Sequence, residues 1–141
     1  MPILNYTTKI DSIKTISEIQ QLLVKHGATK ITTDYENGIP VGVTFCLTIN
    51  TRMVAFALPC NYDGVLNAMK RGRVPRGLCT KEQALRVSWR IIKDWVQAQM
   101  AIVEANLVDM AEVFLPYAIT VDGVTMYKAI TGNKSTTLLL N

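Results

Sequence analysis

The chain has 141 residues, of which 49 % are hydrophobic and 18 % charged, and a formal net charge of +4. That length fits a single domain over residues 1–141 with enough apolar side chains for a core. It holds no apolar run of about 18 residues, which excludes a membrane-spanning helix, and its N-terminus lacks the basic and long apolar regions of a signal peptide, so a cytoplasmic protein is expected.

In chain order, Thr15-Ile16-Ser17-Glu18 reads as a capping box opening a helix over about 15–26. Ile16, Ile19, Leu22 and Leu23 recur there at helical spacing, and Gly27 suits a left-handed cap. Lys30 to Tyr35 alternates as a strand, and Glu36-Asn37-Gly38 supplies turn chemistry. Val43, Phe45, Leu47 and Ile49 alternate with Thr44, Cys46 and Thr48 in the cleanest strand of the chain. A short turn near Asn50-Thr51 leads to a third strand from Met53 to Leu58, which Pro59 stops. The result is an antiparallel meander with one face on the first helix.

Asn61 is placed to cap a short helix through Val65, Leu66 and Met69, after which Gly72, Pro75 and Gly77 interrupt regular structure. A second capping box, Thr80-Lys81-Glu82-Gln83, opens the longest element, free of Pro and Gly to about Leu115. Unbroken, that helix would span ~52 Å, against a radius of gyration of ~14 Å for a compact domain of this size. It therefore bends or splits near Asn106, or packs on another copy. Its apolar face is wider than a three-stranded sheet needs to cover. A homo-oligomer is therefore expected, with Trp89, Ile92, Trp95, Val96, Ile102 and Val103 in the seam. Pro116 ends the helix, and 118–127 reads as a terminal hairpin about Asp122-Gly123. Leu138-Leu139-Leu140 is a candidate docking element. The fold class is α+β.

Charge is distributed unevenly. Lys70, Arg71, Arg73, Arg76, Lys81, Arg86, Arg90 and Lys93 face Glu82 alone, a local excess of seven positive charges, while the remaining seven basic and ten acidic residues sum to −3. Guanidinium forks suit phosphate oxygens, and the glycines of this stretch let backbone amides approach an anion. Arg86, Arg90, Lys93 and Gln97 recur at helical spacing as one stripe. The loop and stripe together are the candidate nucleic-acid or nucleotide site. A surface for an acidic protein partner and a merely solvated basic face are the competing readings. Trp89 and Trp95 flank the stripe and suit the core or an interface better than base stacking.

Cys46, Cys60 and Cys79 show no metal-ligand spacing and read as reduced, mostly buried thiols. Glu104, Asp109 and Glu112 read as a solvated face. One histidine, His26, and the absence of phosphate-loop, dinucleotide, zinc-protease and nucleophile-elbow motifs point away from an enzyme and from a cofactor or metal.

The run Glu82-Gln83-Ala84-Leu85-Arg86-Val87-Ser88-Trp89-Arg90-Ile91-Ile92-Lys93-Asp94-Trp95-Val96-Gln97-Ala98-Gln99-Met100-Ala101 is distinctive. With Ile16-Ser17-Glu18-Ile19-Gln20, His26-Gly27-Ala28 and Val113-Phe114-Leu115-Pro116-Tyr117-Ala118, it resembles small proteins of unassigned role encoded by bacteriophages and other mobile elements of gut and Gram-positive bacteria. The resemblance implies a mobile-element setting and transfers no functional residue. In that setting three functions are expected in turn: a polyanion-binding accessory protein, an antagonist of bacterial defence that binds a host protein or its ligand, and a structural or assembly protein.

Overall fold

The computed structural model describes residues 1–132 and has the expected α+β architecture. Helix α1 (Ser12–Lys25) leads into strands β1 (Thr29–Glu36), β2 (Ile39–Ile49) and β3 (Arg52–Pro59). Helix α2 (Tyr62–Arg71) and a 3₁₀ turn (Arg76–Leu78) precede α3 (Lys81–Glu104), the short α4 (Met110–Phe114), a second 3₁₀ turn (Leu115–Tyr117) and α5 (Met126–Gly132).

The sheet is an antiparallel meander in the order β1-β2-β3. Both hairpins close on two residues, with Glu36 opposite Ile39 and Ile49 opposite Arg52. Asn37 and Gly38 have φ of 52° and 77°, and Asn50 and Thr51 have φ of 48° and 68°. Such left-handed pairs give the turn whose twist matches that of the strands. Phe45 and Phe56 are register partners and stack at 5.3 Å between centroids. With Val43, Leu47 and Leu58 they turn one sheet face to Ile16, Ile19 and Leu23 of α1 and to Trp89, Val96 and Met100 of α3. A second cluster seats α2 on α3 through Met69, Val74, Ala84 and Val87.

Three helices end alike. Each places one residue in the left-handed region and returns two amides to its last turn: Gly27 (φ 106°) after α1, Arg73 (φ 61°) after α2 and Asn106 (φ 59°) after α3. The residue that follows each donates to a carbonyl five positions back, Ala28 to Leu23, Val74 to Met69 and Leu107 to Ile102. This is the Schellman arrangement, and at Asn106 it splits the long apolar stretch into α3 and α4.

The structure corrects two boundaries. Helix α1 begins at Ser12, and Thr15 lies inside it with its hydroxyl donating to the Asp11 carbonyl (3.3 Å), so Thr15 is not a cap. The expected terminal hairpin shrinks to one bridge, Ile119 to Thr125, because α5 starts at Met126. Ala118 bridges Phe56, which places this segment beside the outer edge of β3. Leu138-Leu139-Leu140 lies outside the described residues.

Candidate nucleic-acid interface

The basic loop is built from the end of α2. Lys70 and Arg71 occupy its last turn, where positive side chains are favoured by the helix dipole. Gly72 follows because the chain is crowded there: a Cβ would stand 3.1 Å from the Ala68 carbonyl oxygen and 3.2 Å from that of Met1. Arg73 takes the left-handed position, and Val74 drops into the α2–α3 core at 6 % exposure. Pro75 then starts the 3₁₀ turn that carries Arg76. Thr80 caps α3, its hydroxyl oxygen accepting from the Gln83 amide at 3.1 Å.

Lys70, Arg71, Arg73, Arg76 and Lys81 are all exposed. The described residues form three salt bridges, His26–Glu104, Arg86–Glu82 and Arg90–Glu18, and none involves these five. Val74 fixes the middle of the loop and Thr80 its end, so cations are displayed on a tethered backbone.

The helix stripe is a different matter. Arg90 donates to Glu18 of α1 at 2.6 Å and to the buried Thr15 hydroxyl at 3.4 Å, and only 13 % of its side chain is exposed. Arg86 is held by Glu82 at 2.7 Å and by the Gln83 side-chain oxygen at 2.9 Å. Lys93 donates to Gln97 at 2.6 Å. Gln83 itself does not complete the capping box. Its side-chain Nε2 instead donates to the Tyr6 and Thr8 carbonyls at 3.0 and 2.8 Å. Arg90 therefore joins two helices and is removed from the anion-contact set. Arg86 and Lys93 keep some exposure, although both are engaged within α3.

Most of the side chains expected in a seam on α3 pack inside the single chain. Trp89 and Val96 are wholly buried inside the single chain. Trp95 packs edge-on against Phe114 and Tyr117 at 5.5 and 5.6 Å, while Ile92 and Val103 lie against the main core. Ile102, at 37 % exposure, is the one member of the set that faces solvent. The wide apolar face is taken up by α1, α2, α4 and the sheet, and a count of apolar residues does not separate that from a second copy. The Trp89 indole N–H is buried without an acceptor among the described residues.

The three cysteines are free, and burial pushes the Cys60 thiol up from 9.0 to about 12, opposed by its hydrogen bond with Ser88. A thiol so held is neutral and unreactive near neutral pH. Asp109 and Glu112 form the capping box of α4, and Glu104 pairs with His26 at 2.7 Å. Among the described residues, no group of three or more His, Cys, Asp or Glu side chains is placed to hold a metal ion.

Sequence reasoning missed one feature, a cleft where the β1–β2 turn meets the start of α2. Glu36, Asn37, Tyr62, Asp63 and Lys81 line it, and Lys81 Nζ stands 5.6 Å from the centre of the Tyr62 ring. These residues lie in three separate stretches, so only Lys81 carried a signal in the sequence. No family model, curated protein or solved structure matches the chain.

Proposed function

We propose that the protein binds a polyanion, nucleic acid or an anionic nucleotide, through the loop over 70–81, as a non-enzymatic accessory protein of a bacteriophage or mobile element. The observation that carries this reading is Arg73. A left-handed residue costs an L side chain about 1–2 kcal/mol, and glycine is the usual occupant of this cap. The α1 end of the same motif uses Gly27. At the α2 end the chain places an arginine there, exposed and without an ion pair among the described residues. Backbone strain kept at an exposed cation favours a role for its side chain. Lys70, Arg71 and Arg76 surround it on the same tethered loop. The mobile-element setting rests on the sequence runs that resemble such proteins.

The test is a fluorescence-polarisation titration of a labelled oligonucleotide at stepped salt. Arg71→Ala, Arg73→Ala and Arg76→Ala are each expected to lower the slope of log affinity against log salt by about one unit. Binding by the unaltered protein without salt dependence, or variants that leave the slope unchanged, overturns the proposal.

A further inference from the structure

The cleft beside the loop measures about 490 Å³, within the ~300–1,000 Å³ usual for small-ligand sites. Glu36 and Asn37 reach it from the β1–β2 turn, Asn61, Tyr62 and Asp63 from the start of α2, and Lys81 from α3. We infer that loop and cleft together hold single-stranded nucleic acid, with phosphates on the loop cations and one unstacked base in the cleft against Tyr62. This rests on the polyanion reading and specifies its ligand.

Lys81 belongs to both parts. It follows the cap of the arginine loop and lines the cleft, its ammonium at a cation–π distance from the Tyr62 ring. The cations are spread out as well. Helix α2 has 10 residues, so Tyr62 at its start and Arg71 at its end stand roughly 14 Å apart along the axis. A single phosphate cannot engage both ends, whereas a strand of a few nucleotides can. The carboxylates set the polarity: Glu36 and Asp63 repel phosphate from the cleft and accept N–H from an amino-bearing base, as carboxylates do from cytosine N4. A paired, stacked base cannot enter such a cleft, so the strand must be single.

The experiment compares labelled single-stranded oligo-dC, single-stranded oligo-dT and a duplex of equal length with the full chain at one salt concentration. Oligo-dC is expected to bind tightest, exceeding oligo-dT by about fivefold, because thymine has no exocyclic amino group. Tyr62→Ala is expected to weaken oligo-dC by about tenfold with the salt slope unchanged, as loss of one stacking platform does. Tyr62→Phe keeps the ring and should bind as the unaltered protein does, which separates stacking from a folding defect. Asp63→Asn should erase the preference for dC without weakening dT. Duplex binding as tight as single-strand binding, or Tyr62→Ala binding like the unaltered protein, overturns the inference and leaves the polyanion reading standing. Failure of every oligonucleotide to bind at low salt overturns both.

Discussion

At the scale of one residue, Arg73 sets stability against binding. Its left-handed backbone is imposed by the Schellman turn, in which Val74 must donate to Met69 and bury its side chain beside it. Replacing Arg73 by glycine relieves the backbone and removes the charge in one step. Arg73→Gly is expected to raise unfolding stability by about 1 kcal/mol, read from the urea midpoint, and to weaken oligonucleotide binding while lowering the salt slope. A merely solvated arginine would give the first effect without the second. Gly72, one position earlier, cannot be exchanged for a larger residue so freely, because the Ala68 and Met1 carbonyls crowd its Cα.

At the scale of elements, what could be read from the sequence was what a few neighbouring residues decide. Asn37-Gly38 announces its turn because both residues accept positive φ. Asn61 and Thr80 announce their helices because a cap needs only its own side chain and an amide three residues on. The start of α1 was misread because Thr15-Ile16-Ser17-Glu18 satisfies the local rule, while Glu18 is committed to Arg90, 72 residues away. The second hairpin carries a cost that the first does not. Thr51 is β-branched and sits at φ 68°, where such a residue is strained by about 1–3 kcal/mol. Thr51→Gly is expected to raise the thermal midpoint by several degrees, equivalent to about 1 kcal/mol in a domain of this size, with oligonucleotide binding unchanged because the turn lies outside the loop and the cleft. A lowered midpoint would show that the Thr51 hydroxyl contributes more than its backbone costs.

At the scale of the molecule, eight basic residues that look alike in sequence divide into two populations. Lys70, Arg71, Arg73, Arg76 and Lys81 face solvent with no ion-pair partner among the described residues, whereas the three cations of the α3 stripe are engaged, Arg86 and Lys93 within α3 and Arg90 with α1, alongside other α3 side chains that hold the N-terminal segment. Gln83 takes the Tyr6 and Thr8 carbonyls, Asp94 accepts from Asn5 at 2.8 Å, Arg90 takes Glu18 and Thr15, and Glu104 takes His26. This row of polar contacts fixes the N-terminal segment and α1 along α3. Only 13 % of the Arg90 side chain is exposed, so its loss leaves the Thr15 hydroxyl buried and Glu18 without its cation. Arg90→Ala is expected to lower unfolding stability by about 1–3 kcal/mol and to leave the oligonucleotide salt slope unaltered. In a double-mutant cycle, Glu18→Gln combined with Arg90→Ala should cost less than the two single changes added together, because each alone already breaks the same pair. If Arg90→Ala instead kept full stability and lowered the salt slope by about one unit, Arg90 would belong to the binding face, and the division between holding cations and binding cations would fail at its central residue.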